Sequence, residues 1–492
     1  MTAEETAVRY RFGGSARTGV LLGLGMRQSL PLVAGCVWLT LCLMAGAPLV
    51  GFLGPVVGAV VSFGRWHRTA LYDIAVPGVA LVARRVRKRS VWRRCSLLTG
   101  PTDTDLPDAL RGLRLLERDV DWTTSTVPVG IVHDHPVGTV SVVVPVTASG
   151  FAVSSAGEQD ALIAGWAGAL GPFARAQCPV VRVVWQHWTH VAGMGEHRRF
   201  LAGLTRNGPP VVVDDYDALI DGQSPLSIGH DVLVTLTVDL RRIRTHRRNT
   251  LDAATTTLVE EARLFAGRLE SAGARVGVPL SAVDVAHAVR ARSDPARLAR
   301  LDTLRRSLAA AVGKGTVEWG PMAVTGDWLA ARVDGSWHRT FRVAVWPMLP
   351  VGADWLAPLL GVADATVSTT VVLEPVPLMQ AAAQANRELT SLEADHAQKE
   401  RHGFRLTARE RRRQRDIEER EQELASGHPE FRHVGFVTVT APTLDELDDT
   451  AALVEQAAAQ SMLDLRPLTA RQVEGWVCSL PLGRNIRRGA WS

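Results

Sequence analysis

The run Val137-Gly-Thr-Val-Ser-Val-Val-Val-Pro-Val146 is rich in β-branched side chains, and Ser155-Ala-Gly-Glu158 follows it closely. A β-branched run predicts a buried strand. A serine with a glutamate three residues later is a capping box, in which the hydroxyl and the carboxylate bond the free amides at a helix start. Leu162, Trp166 and Ala169 then recur at the spacing of one helix face. The stretch therefore predicts a strand followed by a helix that packs on it.

The same alternation of strand and helix continues downstream of this stretch. Val180–Trp188 and Asp231–Leu240 read as further strands, and a helix is predicted around Leu251–Glu270. These elements, together with Val137–Val146, predict a first α+β unit over residues 126–315.

A second unit over residues 316–485 repeats this pattern. Its strands are predicted at Phe341–Val345, Thr366–Leu373 and Val434–Thr440, and Thr443–Glu446 is a second capping box. Its helix stripe consists of Leu444, Leu447, Ala451, Val454 and Ala458. Two small units, each with helices on a sheet in a sandwich-like arrangement, fit the α+β class better than one doubly wound sheet.

A charged segment interrupts the second unit at residues 377–429. Its acidic and basic residues alternate and its apolar anchors are few, which is typical of a solvated helical hairpin. An arm that docks a partner protein is the alternative interpretation of the same pattern.

Residues 28–64 carry no charged side chain. Because one transmembrane helix needs about 20 residues, this run is too long for one span and predicts two short ones, Leu30–Met44 and Leu49–Phe63. Gly46 and Pro48 lie in the turn expected between them. A secretory signal peptide is the competing interpretation, but its apolar core would be shorter and would not lead into arginines.

Basic residues flank the apolar run on both sides. Residues 1–27 contain several arginines, and residues 65–125 read as a basic juxtamembrane segment and linker. Since lysine and arginine favour the cytoplasmic side, we expect a multi-pass inner-membrane protein whose termini and body are cytoplasmic. The expected topology-setting or lipid-facing residues are Arg65, Arg68, Arg84, Arg85, Arg87, Lys88, Arg89, Arg93 and Arg94.

The net charge of +5 is concentrated in this amino-terminal part, and the rest of the chain is net negative. With only 3 tyrosines as well, the body does not resemble a basic, aromatic nucleic-acid platform. We therefore expect no direct nucleic-acid binding by the body.

The sequence contains no complete catalytic motif of a familiar kind. Gly313-Lys314-Gly315 lacks the first glycine and the Ser/Thr of a P-loop, and Val211–Asp215 looks like a strand end with acids but has no partner loop. His187 and His190 would lie on opposite faces of a strand, and neither His197 nor the pair His133 and His135 has a carboxylate or cysteine at ligand spacing. We expect no catalytic residue, no cofactor, no metal site and no enzymatic activity.

The layout resembles a fusion of two parts of bacterial type IV secretion and conjugation machines. The hairpin resembles their small double-pass inner-membrane subunit, and residues 126–485 resemble the amino-terminal, non-ATPase domain of their assembly ATPases. The matching segments are Phe341–Pro347, His433–Thr440 with the helix from Thr443, and an exit motif formed by Leu480, Pro481, Leu482 and Gly483. Actinobacterial membrane proteins from conjugation-type gene clusters share this layout.

The resemblance implies a membrane-anchored scaffold subunit that docks a separate secretion ATPase at the inner membrane. In the assembly ATPases the Leu-Pro-Gly-like segment leads into a motor with a P-loop, which these 492 residues lack. The implied partners are the cytoplasmic membrane, that ATPase and other subunits, within an oligomeric complex. A membrane component of a type VII-like export system, or a membrane-tethered enzyme with an unrecognised site, are the alternatives.

Overall fold

The computed structural model describes residues 26–66, 69–87, 90–94, 106–147, 150–192, 195–204, 209–223, 228–243, 250–298, 301, 319–362, 365–401, 408–426 and 428–486. The expected basic residues Arg68, Lys88 and Arg89 lie outside this part of the chain, as does the near P-loop at Gly313–Gly315.

Helices and strands alternate along most of the described chain. The helices are α1 (Met26–Met44), α2 (Pro48–Gly51), α3 (Leu53–Phe63), α4 (Leu71–Val86), α5 (Ala156–Leu170), α6 (Gly195–Ala202), α7 (Pro210–Gln223), α8 (Thr250–Ser271), α9 (Ala282–Ser293), α10 (Ala357–Leu360), α11 (Leu378–Arg401), α12 (Ala408–Ala425), α13 (Leu444–Gln460) and α14 (Gln472–Cys478). The strands are β1 (Arg65–Trp66), β2 (Thr69–Ala70), β3 (Val91–Arg93), β4 (Leu113–Trp122), β5 (Ser125–Asp134), β6 (Thr139–Thr147), β7 (Val180–Val191), β8 (Ile228–Asp239), β9 (Arg275–Val276), β10 (Ala323–Gly326), β11 (Ala331–Val333), β12 (Ser336–Val345), β13 (Thr366–Val376), β14 (Glu430–Ala441) and β15 (Asp464–Pro467).

One 13-stranded antiparallel sheet runs through the whole body, in the order β3-β10-β11-β12-β14-β13-β7-β8-β6-β5-β4. β15 pairs with β12 and β9 pairs with β6 at its margins. The α+β class is confirmed, but the expectation of two small separate units is wrong. β7 of the first unit pairs with β13 of the second, from Val183 opposite Leu373 to Thr189 opposite Val367. Each unit would otherwise leave an open strand edge, and pairing the two edges satisfies both.

The two halves of the sheet repeat one plan. β4-β5-β6-β8-β7 and β10-β11-β12-β14-β13 have the same order, and they meet at the two equivalent strands β7 and β13. A helix pair follows each central strand: α6 and α7 follow β7, and α11 and α12 follow β13. α8, β9 and α9 in the first half correspond in order to α13, β15 and α14 in the second. The halves are thus related by an approximate two-fold axis between β7 and β13.

Helices cover both faces of this sheet. On one face, Val142 of β6 and Leu236 of β8 pack with Phe265 of α8, and Val437 of β14 packs with Val454 of α13. On the other face, Val143, Leu233, Leu113 and Val132 pack with Val285 of α9 and Trp476 of α14. Side chains alternate between the faces because the period of a strand is two.

Most predicted elements are present. β6, β7, β8, β12, β13 and β14 cover the six predicted strands, and α5, α8 and α13 cover the predicted helices. Ser155 forms the predicted capping box with Glu158, and Thr443 accepts a hydrogen bond from the Glu446 amide. Along α13 the predicted stripe is buried except for Leu444, which lies at the helix start and is 42% exposed.

Two local expectations are wrong. Val211–Asp215, which looked like a strand end, lies in α7, where Pro210 occupies the first helical position that suits proline. The segment expected to be a juxtamembrane linker contains α4, β3 and β4, and β3 extends the large sheet by pairing with β10. β3 and β4 are the two edge strands of the sheet, and their charged side chains hid them because edge strands often carry charges.

The charged insertion forms the expected helical hairpin, α11 and α12. Its base is closed by a small apolar cluster that includes Val376 and Leu424. Beside this cluster the half-buried Arg420 guanidinium donates to Glu388 at 2.9 Å and to Glu430 at 2.7 Å. The arginine thereby links both helices to the start of β14, so the arm leaves the sheet in a defined direction.

A side-chain amide extends the sheet where β15 ends. The Gln472 amide oxygen accepts from the Thr340 backbone amide at 2.7 Å, and its amino group donates to the Leu468 carbonyl at 3.1 Å. Gln472 is 1% exposed. We expect Gln472→Leu to lose about 1–3 kcal/mol of stability, because the buried Thr340 amide then has no acceptor.

The midpoint of urea unfolding measures this loss. Gln460→Leu is the matched control, since Gln460 lies exposed at the end of α13 and surface changes usually stay within about 0.5 kcal/mol. Equal midpoints for the two variants would contradict the role assigned to Gln472.

Candidate interaction surface

The amino-terminal helices form a tight antiparallel hairpin. α1 and α3 approach closely at Gly35, where an added Cβ would lie 2.5 Å from the Gly54 carbonyl oxygen. Between the helices, Gly46 adopts a φ of +74°, and Pro48 is the first residue of α2. Both expected turn residues therefore lie at the turn, where glycine suits a left-handed conformation and proline a helix start.

The expectation of a transmembrane hairpin is wrong. Among the described residues, no helix is both long enough and apolar enough to cross a membrane. The run of residues 28–64 is divided: α1 has Gln28 and Ser29 in its first turn, and α3 has only 11 residues. At about 1.5 Å per residue, α3 is roughly half the thickness of a bilayer core. The expected multi-pass inner-membrane localisation is overturned with it.

α4 packs beside this hairpin and borders an apolar groove. The groove has a volume of about 670 Å³, and its lining includes Val61 of α3, the α4 residues Ile74, Val79 and Val82, and Trp328 from the turn between β10 and β11. The Trp328 ring meets Trp66 edge-on at 5.5 Å. Next to it, Arg85 of α4 pairs with Asp327 at 2.5 Å. The ion pair attaches α4, and the ring contact attaches β1, to the turn between β10 and β11.

Apolar side chains on these helices remain exposed in large number. We call the set the amino-terminal apolar surface. Its members, all at least 47% exposed, are Leu30, Val33, Val37, Trp38, Leu41, Leu43, Met44, Leu49, Val50, Phe52, Leu53, Val56, Val57, Val60, Phe63, Val76, Val79, Val82 and Val86. Exposed apolar patches much larger than a few hundred Å² mark interaction sites.

The expected basic residues lie around this surface. Arg65 is exposed on β1, and Arg84, Arg85 and Arg87 lie at the carboxyl end of α4. Arg93 is exposed on β3, whereas Arg94 donates to the Trp319 carbonyl at 2.9 Å. The described basic residues thus border the apolar helices, except that Arg94 also holds the chain to the body.

The exit motif is buried and binds the central strands. Leu480 and Leu482 belong to the core beneath α9 and α14. The Leu480 carbonyl accepts from the Gln186 amide at 2.9 Å, and the Gly483 carbonyl accepts from Arg182 at 2.6 Å. Since Gln186 and Arg182 lie on β7, the end of the second half is held across the first half.

A stack of polar and aromatic side chains lies between α9 and β7. The Arg292 guanidinium sits 4.6 Å from the centre of the Trp188 ring, and Trp188 stacks on His190 at 3.9 Å. His190 faces the Asp231 carboxylate at 3.4 Å. Burial lowers the pKa of Arg292 to about 10, so the guanidinium is still charged at neutral pH. Burial acts to raise the pKa of Asp231, but His190 and Arg292 outweigh it and the pKa is lowered.

This stack binds α9 to β7 and β8. Arg292 is 4% exposed, so solvent hardly reaches it, and we assign it a structural role. The pattern of the sequence did not reveal it, because Arg292 and Asp231 lie on separate elements that only the fold brings together.

His187 and His190 behave as the strand pattern predicted. His187 shares a contact of 3.2 Å with His230, whereas His190 stacks on Trp188; the strand period places the two on opposite faces. Burial, with the neighbouring His230, lowers the pKa of His187 to about 4. Within the described residues, no group of three or more His, Cys, Asp or Glu side chains could hold a metal ion.

Comparison of the chain with protein-family models gives no match, and comparison with curated proteins gives none either.

The exit motif supplies a sharp test of packing. Gly483 adopts a φ of +68°, and an added Cβ would lie 2.5 Å from the Ser141 hydroxyl and 2.6 Å from the Thr237 hydroxyl. These hydroxyls are hydrogen-bonded to each other at 2.9 Å. Gly138 has a similar φ of +75°, but a Cβ added there would meet nothing within 4 Å.

We expect Gly483→Ala to destabilise the protein by about 1–3 kcal/mol more than Gly138→Ala. Both variants suffer the left-handed backbone cost, and only the first is also overpacked. Urea unfolding midpoints of the two variants give the difference. A loss no larger for Gly483→Ala would show that the exit motif is not held tightly against β6 and β8.

Proposed function

We propose that this chain is a scaffold subunit of a type IV secretion-like or conjugal transfer apparatus, which docks a separate ATPase. The observation that carries the proposal is the placement of three exposed surfaces around one continuous sheet. They are the amino-terminal apolar surface and the two helical arms, α6 with α7 and α11 with α12. A membrane anchor is not part of the proposed role.

The two arms leave the sheet in opposite directions. α6 follows the end of β7 and α11 follows the end of β13, and these strands are antiparallel neighbours. A protein with an arm at each end of its central strand pair is suited to hold two partners apart at a fixed distance. The sheet between them supplies the rigidity.

The arm of α11 and α12 is the proposed docking site for the ATPase. Its base is fixed by Arg420, Glu388 and Glu430, so the described part of the arm beside that base has one orientation. Glu418 and Glu421 lie exposed on α12 on either side of Arg420. Charged complementary surfaces favour specific and rapid association more than raw affinity, which suits a motor that engages and leaves.

The proposed scaffold role predicts that the purified protein does not hydrolyse ATP. The phosphate release of full-length protein should match that of a buffer blank after co-purifying ATPases have been removed. Turnover that stays with the protein through further purification would contradict the role.

Capture of the ATPase tests the docking arm. Tagged full-length protein should retain a P-loop secretion ATPase from the host, identified by mass spectrometry and then confirmed with the purified ATPase. We expect Glu418→Lys with Glu421→Lys to reduce this binding at least tenfold, because charge reversal replaces attraction with repulsion across the contact.

The matched control is Glu260→Lys with Glu270→Lys, which makes the same change of charge at exposed positions of α8. It should bind the ATPase as the unchanged protein does. Equal binding by both variants would exclude the arm as the docking site, and failure of the unchanged protein to bind would exclude the proposed function.

A further inference from the structure

The arm of α6 and α7 carries an exposed face that is both apolar and acidic. Val212, Tyr216 and Leu219 follow one another at helical spacing on α7 and are 60%, 41% and 57% exposed. Four aspartates and no basic residue lie on the same helix, with Asp214 and Asp215 exposed near its start. This spacing of anchors is the one by which amphipathic helices enter grooves.

The arm holds this face in place. The Tyr216 hydroxyl lies 2.8 Å from His197 of α6, and Arg198 of α6 pairs with Asp221. The two helices are therefore fixed to each other at two points along α7. Less conformational entropy is lost on binding when a helix is already ordered.

The groove along α4 has the complementary character. Its lining is almost entirely apolar and includes Val79, Val82 and Val86, which are 71%, 47% and 77% exposed. Arg84 and Arg87 lie at its carboxyl end. The groove therefore offers apolar contact along its length and positive charge at one end.

α4 and α7 match in length and are complementary in charge. α4 has 16 residues and α7 has 14, so they extend about 24 Å and 21 Å at 1.5 Å per residue. An antiparallel arrangement places Asp214 and Asp215 beside Arg84 and Arg87. In the same arrangement the dipoles of α4 and α7 run in opposite directions. The positive end of the α7 dipole then lies beside the negative end of the α4 dipole, which is favourable.

We propose that α7 of one copy of this chain lies antiparallel in the groove along α4 of a second copy. In this arrangement Val212 meets Val86, and Leu219 meets Val79. The occupant is assigned as a second copy because α7 matches the groove in length, in charge and in the spacing of its exposed apolar residues. The inference is independent of the proposed ATPase docking, in which α11 and α12 take part and α4 and α7 do not.

Within one chain, α7 does not cover the groove along α4. Val212 and Val79 each remain more than half exposed in the structure. α4 is attached at the β10 end of the sheet, whereas α7 follows β7 at its centre, with β11, β12, β14 and β13 between. A contact between different surfaces of two copies is head-to-tail, so it builds a ring or an open chain of subunits.

A charge exchange tests the pairing. Full-length protein should associate with increasing concentration in sedimentation velocity runs at low salt. We expect Asp214→Arg with Asp215→Arg, or Arg84→Asp with Arg87→Asp, to weaken self-association at least tenfold. A protein carrying all four changes should recover association to within about threefold, because the charges again match.

Two controls keep this experiment decisive. Glu260→Arg with Glu270→Arg makes the same charge change on α8 and should leave association unchanged. Circular dichroism should show the same helix content in every variant, since the altered residues are exposed or partly exposed. Loss of association in the control, or no recovery in the fourfold variant, would overturn the proposed pairing.

Crosslinking tests the orientation. Two differently tagged proteins, one with Val86→Cys and one with Val212→Cys, should form a mixed disulfide under mild oxidation. Val76→Cys mixed with Val212→Cys should not, because position 76 lies about 15 Å further along α4. The unchanged protein measures the background from its native cysteines. A stronger product for position 76 would overturn the antiparallel arrangement.

Anionic lipid is the competing occupant of the groove, since arginines beside apolar residues also suit it. Vesicles of phosphatidylcholine with phosphatidylserine would then bind the unchanged protein. The variant with Arg84→Asp and Arg87→Asp would not bind them. If the variants at Asp214 and Asp215 meanwhile left self-association unaffected, the proposal of a second copy would be overturned.

Discussion

The backbone ladder between β7 and β13 is the interaction on which the rest of the structure depends. It joins two halves that each have the same strand order, and it does so through the equivalent strand of each half. Backbone groups along this ladder pair across it, so neither half presents an open edge at the centre. A small apolar cluster that includes Val184, Val372 and Phe436 spans the ladder, and one sheet with helices on both faces replaces two small domains.

The exit motif and Arg484 then fasten the second half to the first on one face of the sheet. After β15 and α14 complete the second half, the exit motif crosses to the first half. Its backbone carbonyls accept hydrogen bonds there from Arg182 and Gln186 of β7. Arg484, just beyond the exit motif, donates to Asp134 at 2.7 Å. Because Asp134 is the last residue of β5, these contacts extend across the first half. Each of these contacts pairs a donor with an acceptor, which reduces the cost of burying the polar side chains. Separation of the halves would break them together with the ladder.

The same ladder positions the surfaces that carry the proposed functions. Because β7 and β13 run in opposite directions, the arm that follows each strand leaves at an opposite end of the sheet. The arms differ in character although their places are equivalent: α7 has exposed apolar residues among aspartates, whereas 12 of the 18 residues of α12 are charged. Equivalent positions in one repeated plan therefore carry arms of different chemical character.

Local patterns of the sequence determined much of the secondary structure. β-branched runs marked the central strands, capping boxes marked the starts of α5 and α13, and alternating charge marked the hairpin of α11 and α12, because each of these signals depends on neighbours within a few residues. Apolar content placed helices at residues 28–64, but it did not determine whether they cross a membrane, since that also depends on the unbroken length of each helix. Only the tertiary structure decided which strand edges meet, that Gln472 completes the ladder beside β12, and that Arg292 of α9 lies over the Trp188 ring of β7. These contacts join residues far apart in the chain, and hydrophobic periodicity specifies which face of an element is buried but not its partner.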